Sequence, residues 1–393
     1  MKHSLLLAWR HIFHTKLRSA ILVACVTLAF LLPFSISGLV NDYGDRLVKR
    51  SRATPIVAGA LGSRFDLVLS SLYFTGRVPR SLSMREANEL IDTGFTKVVP
   101  IVLGQTARSY PLVGTTPDYF EERRLVVADG CSPLLLGEAM IGSDVAKELQ
   151  LGVGSTLLTD EGSLYDLSLR SPLKLQITGV LKPNGTSDDR AVFADTKTVW
   201  IGMGIGHGHV EAEAETENRV LGVMENSNGG ADKIVMGAAT FEFTEFTEEN
   251  RSSFHFHGEA ESYPVSAMLL FPVDARSATI LKGRYRLSDD LQLLEPIDVV
   301  EELMGVVFQV KSFFDANSIL VAVSTSLFLV LVLLLSIRVR HRELETLYKI
   351  GCARSRVVQI FGFELGLLVL LGLCSSMAFG VLVQSMLENV FTS

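Results

Sequence analysis

The sequence lacks the signatures by which most enzymes announce themselves. No G-x-x-x-x-G-K-[ST] loop occurs, so the chain shows no sign of hydrolysing a nucleotide itself. There is no G-x-S-x-G elbow, no H-E-x-x-H and no C-x-x-C, and no nucleophile–base constellation can be named. These absences argue against an enzyme. Cysteine is scarce, with four in 393 residues, which excludes a disulfide-stapled scaffold. Cys131 stands alone between positions 41 and 317, so that segment has no internal disulfide to form. Cys25 and Cys374 lie in apolar runs and read as small apolar residues. A basic surplus is also missing. Lys and Arg number 36 against 43 Asp and Glu, a formal charge of −7, which makes a nucleic-acid binder a poor reading. Charge of either sign is low, at 20% of residues, against roughly 25% in an average globular chain. What replaces it is hydrophobic: 48% of residues, with a mean hydropathy of +0.33.

That hydrophobicity is concentrated in three blocks. Residues 20–40 and 318–337 carry no charge, and residues 357–387 carry one acid near their start, Glu364. A helix of about 20 residues crosses about 30 Å of hydrocarbon, so each block is long enough to span a bilayer. Pro33 in the first block is tolerated in a membrane helix. The first block is too long for a signal-peptide core and is read as an uncleaved anchor. Bases flanking the spans set the orientation. Lys2, Arg10, Lys16 and Arg18 precede the first span, and Arg338, Arg340, Arg342, Lys349, Arg354 and Arg356 separate the second and third. Both flanks are expected in the cytoplasm, which places residues 41–317 outside. That segment holds 26 bases and 39 acids, about −13.

The expected organisation is therefore an interfacial helix at 1–18, spans at 19–40, 318–337 and 357–387, an external domain at 41–317, a cytoplasmic loop at 338–356 and a tail at 388–393. In the first segment Leu5, Trp9, Ile12, Phe13 and Leu17 recur at helical spacing. Within the external domain, runs at 65–69, 97–103, 124–128, 155–158, 173–181 and 266–272 read as strands. Helices are expected at 83–91, with Ser83 as cap and Glu86 completing a capping box, at 143–149 with Ser143 as cap, and at 297–314. The pattern is mixed α+β without an evident parallel βαβ series. In the cytoplasmic loop, Leu344, Leu347 and Ile350 form an apolar edge amid charges and Gly351 is a natural helix stop, so a short exposed helix for docking a partner is expected. Glu364, an acid inside a span, is a functional candidate, or a carboxylate snorkelling near the helix start.

Residues 204–262 differ from the rest, being acidic and glycine-bearing, read as part loop with a long hairpin. Four of the eight histidines sit there as two H-x-H pairs, His207/His209 and His255/His257. On a strand, positions i and i+2 share a face, which would put Phe254 and Phe256 on the other. Imidazoles gathered this way, with Glu211, Glu213 or Glu259 nearby, suit zinc or another divalent metal such as copper or nickel. The plainer reading is a solvated polar loop. A metal-binding receptor or metal-handling module is the alternative function this pattern suggests.

The whole order resembles the MacB-type, FtsX-like permease subunits of ABC transporters: basic amphipathic helix, span, large external domain, span, basic loop, span. The loop RELETLYKIGCARSRVVQIFGFELGLL is similar to the family's R-E-x-x-x-L-x-x-I-G segment, falling on Arg342, Glu343, Leu347, Ile350, Gly351, Arg354 and Arg356. Stretches at 55–74, 112–121, 137–157 and 175–195 look like successive parts of the family's periplasmic core domain. Together with the three spans read from the apolar blocks, the resemblance implies an α-helical membrane protein with a large α+β extracytoplasmic domain of MacB periplasmic-core type, in a bacterial inner membrane. It also implies no ATPase in this chain, ATP bound by a separate cytoplasmic ABC ATPase, and a homodimer or paired permease. ATPase coupling would fall on Arg342, Glu343, Leu344, Leu347, Ile350, Gly351 and Arg354. Periplasmic or lipoprotein partners and mechanical work outside the membrane would follow. Members usually have four spans; a fourth is expected from the resemblance and is not found in this sequence.

Overall fold

The computed structural model describes residues 6, 9–10, 12–160, 172–208, 220–224, 233–236, 243–339, 345, 349 and 353–392. These residues form two compact units. One comprises Met1–Asp45 with Glu302–Ser393, the other Arg46–Glu301. The edges of the expected external segment, 41–45 and 302–317, thus cluster with the apolar helices.

Among the described residues three helices are long and apolar enough to cross a membrane: α1 (Lys16–Arg52) and α7 (Pro296–Val339), each mostly in the first unit, and α8 (Arg354–Thr392), wholly in it. α1 continues through Pro33 as one helix, and α7 joins the helix expected at 297–314 to the second span without interruption. Ahead of α1, residues 12–14 are helical and Thr15 forms a turn; the Trp9 and Phe13 rings lie 5.1 Å apart on an exposed face, while Ile12 is buried. Leu22 and Val26 of α1, Leu329 of α7 and Leu368 of α8 form one apolar cluster with Ile12.

Small residues let α1 and α8 approach closely, as is usual where lipid removes the hydrophobic drive for association. A Cβ on Gly372 would lie 2.6 Å from Cβ of Val26, and one on Gly380 2.5 Å from the Phe34 ring. The Thr27 hydroxyl also donates to the Gly372 carbonyl at 3.2 Å. Gly372→Ile should therefore cost about 1–3 kcal/mol by overpacking, whereas Gly366→Ile, with open space around its Cβ, should be neutral. Thermal unfolding of the two variants in detergent checks this; equal melting would refute the packing.

The second unit is built on a mixed sheet. Its main strands are β1 (Ile56–Ala60), β2 (Thr96–Ala107), β3 (Tyr110–Thr115), β4 (Glu138–Ile141), β5 (Leu173–Leu181), β6 (Val192–Asp195), β9 (Ala267–Pro272) and β10 (Leu291–Leu294), with β7 (Gly206–His207) and β8 (His255–Phe256) forming a separate pair. The spatial order is β5-β4-β6-β3-β2-β9-β1-β10, with a short strand, Thr244–Glu245, beside β5. Pairing is parallel between β3 and β6 and between β4 and β5, and antiparallel elsewhere along this order. β2 is the long member. Its first half contributes Val98 to one apolar core with Ile56, Met268, Leu270 and Leu281, and its second half contributes Val102 and Ala107 to another with Leu112, Ile141, Leu175 and Trp200. The register shifts between Val102 and Gln105, where Gly104 adopts φ +121°, so the strand bends from one core to the next.

Most expected elements appear near their expected positions. The capping box at Ser83 and Glu86 opens α3 (Met84–Asp92), with the Ser83 N–H donating to the Glu86 carboxylate at 2.9 Å. Three expectations are corrected. Residues 65–69 are not a strand but part of α2 (Arg64–Tyr73), capped by the Ser63 hydroxyl, which accepts from the Asp66 N–H. The run RFDLVLSSLY buries Leu67, Val68, Ser71 and Leu72, a helical face that a five-residue window does not reveal. The strand expected at 124–128 begins later, at Val127–Gly130, because Arg123 caps the short helix Asp118–Glu122 and Arg124 takes a left-handed φ of 53°. The cap of α4 (Ser143–Glu148) is Gly142, not Ser143. A Cβ on Gly142 would sit 2.3 Å from the carbonyl oxygens of Asp188 and Asp189, so the chain crossing there admits only glycine. Within 204–262, strands Val220–Met224 and Lys233–Met236 pair antiparallel, as a hairpin requires.

Candidate functional site

The residues expected to couple to an ATPase, Arg342, Glu343, Leu344, Leu347, Ile350 and Gly351, lie outside the described residues, and Arg354 opens α8. His209 also lies outside them. The other three histidines come together. β7 and β8 pair antiparallel with Gly206 opposite Phe256 and His207 opposite His255, and the His257 N–H donates to the Ile205 carbonyl at 3.0 Å.

The alternation expected of F-H-F-H holds. Phe254 and Phe256 turn inward onto the core; Phe254 stacks on Phe246 at 4.9 Å, and Phe256 lies 5.8 Å from Tyr263, itself 5.1 Å from Trp200. Gly206 and Gly208 make room for those rings, since a Cβ on either would come within 2.9 Å of a phenylalanine ring atom. The opposite face carries the imidazoles. Ring centroids of His207, His255 and His257 are 4.6 to 4.9 Å apart. Nε2 of His257 lies 3.2 Å from Nδ1 of His207, and Nδ1 of His255 lies 3.4 Å from the Ser253 carbonyl. One ring nitrogen from each falls within 4.8 Å of the others, the only such group of three potential metal ligands among the described residues.

A second constellation was not anticipated from the sequence. Arg50, in the last turn of α1, is buried with Tyr119 and Asp188. Its guanidinium donates to both Asp188 oxygens, Nη1 to Oδ2 at 2.6 Å and Nη2 to Oδ1 at 2.8 Å, and to the Tyr119 hydroxyl at 3.1 Å. Its Nε donates to the Leu72 carbonyl, and its charge lies 5.5 Å from the centre of the Phe74 ring. Tyr119 in turn donates to Asp188 at 2.6 Å. Beneath this node Phe74, Tyr119, Phe120 and Phe193 form an aromatic cluster with centroids 5.4 to 6.0 Å apart. Burial alone would raise the Asp188 pKa. The charge of Arg50 and the hydrogen bonds from Arg50 and Tyr119 outweigh it and bring the carboxyl down to about 2. Burial, reinforced by Asp188, raises the Tyr119 phenol. The turn carrying Asp188 is locally determined: Thr186 Oγ1 accepts from the Asp188 N–H at 3.3 Å, and the Asp189 carboxylate accepts from the Gly185 N–H at 2.7 Å. Tyr119 and Asp188 do lie in the family-like stretches 112–121 and 175–195, the one signal that could have marked them.

In the first unit Glu364 is buried, and Arg18 of α1 approaches it to 3.7 Å. It therefore faces the helix cluster, as an ionisable group inside a span usually does, rather than snorkelling outward.

The comparisons with known proteins bear on the chain as follows. Residues 20–219, half of the sequence, match the family model of the MacB-like periplasmic core domain. No curated protein matches the chain. Among solved structures it is similar to the periplasmic region of MacB from Actinobacillus actinomycetemcomitans, with 11% identity and a TM-score of 0.36 over 66% of this chain and 97% of that one. It is also similar to the extracellular domain of the noncanonic ABC-type transporter YknZ from Gram-positive bacteria, with 12% identity and a TM-score of 0.32 over 61% of this chain and 98% of that one. The family match carries the assignment. The chain belongs to the MacB-like periplasmic core domain family and is a permease of MacB/FtsX type, a membrane protein of apolar helices bearing a large α+β extracytoplasmic domain.

Proposed function

We propose that this chain is the non-catalytic membrane subunit of an ABC transporter, coupling ATP hydrolysis by a separate cytoplasmic ATPase to conformational change of its extracytoplasmic domain. Export, lipoprotein handling and mechanical transmission across the envelope are the tasks such coupling serves, in a bacterial inner membrane and with two permease copies acting together. One observation carries this reading. α1 is a single helix from Lys16 to Arg52, and its last turn is held by the buried Arg50–Asp188–Tyr119 node. Arg50, Tyr119 and Asp188 all lie within Arg46–Glu301, where bidentate charge-assisted hydrogen bonds fix the distance and angle of that last turn. The basic loop at 338–356 is the part that would meet the ATPase, and a partner lipoprotein or periplasmic protein would meet the external domain.

The test is retention of an ABC ATPase encoded beside the gene when the full chain is purified in mild detergent, with ATP turnover measured on the complex. Copurification and permease-dependent turnover are expected. A chain that retains no ATPase, and leaves ATP turnover unchanged, overturns the reading. A metal-handling role is compatible with it and draws on a separate part of the molecule, the three-histidine cluster.

A further inference from the structure

From the cluster of His207, His255 and His257 we infer that the extracytoplasmic domain carries an exchangeable binding site for a divalent transition-metal ion, zinc foremost. Three features of the geometry lead there.

The first is the donor set. Three imidazoles and no carboxylate or thiolate meet among the described residues. Neutral nitrogen donors favour zinc, copper and nickel and are poor ligands for calcium or magnesium, which take oxygen. The second is the spacing. Two nitrogens bound to one tetrahedral zinc at ~2.0–2.1 Å lie ~3.3 Å apart; Nδ1 of His207 and Nε2 of His257 are 3.2 Å apart already. All three ligand atoms lie within 4.8 Å of one another, a gap of about 1.5 Å beyond zinc-ligand spacing that is within the reach of side-chain rotation. Donation from Nδ1–H of His255 to the Ser253 carbonyl is the kind of second-sphere contact that commonly orients a metal-binding histidine.

The third is preorganisation. His207 and His255 stand on the strand pair and His257 follows directly, tied by its N–H to the Ile205 carbonyl, while Phe254 and Phe256 turn the other way onto the apolar core. Little conformational entropy remains to be lost when a metal binds. Fixed side chains on strands also hold ligand geometry better than a loop does.

Three protein ligands leave one position of a tetrahedral zinc for water or an incoming donor. Among the described residues no fourth ligand joins the group, and with His207 and His257 exposed and His255 half-buried the cluster is reached from solvent. This is the arrangement of a site that loads and unloads, rather than of a sealed structural zinc. The inference does not depend on the permease reading. A chain that binds zinc but retains no ATPase would leave it standing, and the reverse result would leave the permease reading standing.

The experiment is a zinc titration of the full chain in detergent, purified without a polyhistidine tag, against a chromogenic chelator, with zinc X-ray absorption on the loaded protein. One zinc per chain is expected, exchangeable with the chelator, with an absorption spectrum showing three nitrogens and one oxygen. His255→Ala and His257→Ala should each weaken binding by at least about 100-fold, the upper range for loss of a mere second-sphere contact. Replacing His3, His11 and His14 together by alanine should leave it unchanged. His207, His255 and His257 belong to none of the apolar cores, and unchanged melting of the zinc-free variants verifies folding. Absence of binding, binding undiminished in the His207/His255/His257→Ala triple variant, or a spectrum dominated by oxygen would overturn the inference.

Discussion

Asp188→Ala is expected to lower the melting temperature of the full chain by about 10 °C. The variant leaves the Arg50 guanidinium buried among Leu72, Tyr119 and Phe74 with its charge uncompensated. An arginine cannot shed its proton to escape. Breaking a buried pair by removing one partner costs about 3–5 kcal/mol, and for a domain of this size each kcal/mol lowers the midpoint by about 2–4 °C. The reciprocal variant, Arg50→Met, should cost less, because Asp188 can take up a proton and keep its hydrogen bond with Tyr119. The double variant Arg50→Met/Asp188→Leu should recover part of the loss, since it removes both charges together. The order Asp188→Ala worst, Arg50→Met intermediate and the double variant above the sum of the two is what a thermal melt in detergent should return. If Asp188→Ala melts within a degree or two of the parent, the node does not hold the domain.

The same carboxylate gives the external domain a defined acid sensitivity. Its folded pKa is about 2 against an ordinary value of 3.8, so the unfolded chain takes up the proton first. The stabilisation is complete above about pH 4 and is lost as pH falls from there through 2. Linkage puts its size at roughly 2 kcal/mol. Arg50→Met should flatten this part of the stability–pH curve.

The second large effect is expected at the far end of the molecule from this node in sequence. Leu347→Asp should weaken association with the ATPase by about 30-fold while leaving melting of the external domain at the parent value. An apolar docking edge loses at least about 2 kcal/mol when a charge is placed in its contact, and every 1.4 kcal/mol is a factor of ten. Copurification yield across a dilution series measures the shift. Asp188→Ala and Leu347→Asp thus make opposite demands, stability without association in one and association without stability in the other. A Leu347→Asp chain that binds the ATPase as tightly as the parent would remove the loop from the coupling reading.

The two candidate sites differ in how legible they were. The histidine cluster was half written in the sequence, because F-H-F-H states its own faces: a strand alternates by two, and phenylalanine goes inward. What the sequence did not contain was the partner. His207 and His255 are separated by 47 intervening positions, and only the pairing of β7 with β8 makes them neighbours. The Arg50 node left no trace in the sequence beyond the family-like stretches that hold Tyr119 and Asp188. Its charges are 138 positions apart, nothing in Arg50 distinguishes it locally from Lys49 or Arg52, and an ion pair between distant segments leaves no periodicity.

By itself the sequence determined what depends on local composition. Apolar runs of about 20 residues meet the bilayer thickness wherever they occur, flanking bases set their orientation, and alternation or helical spacing sorts side chains into faces. It even specified the capping box at Ser83, because both partners lie within one turn. Only the tertiary structure decided what depends on which segments meet. It turned 65–69 from an expected strand into a helix buried on one side, made Gly142 obligatory by crossing it with the Asp188 turn, and seated Arg50 on Asp188. Burial and electrostatic pairing are properties of assembled neighbours. They enter the energy of the fold only once the long-range contacts have formed.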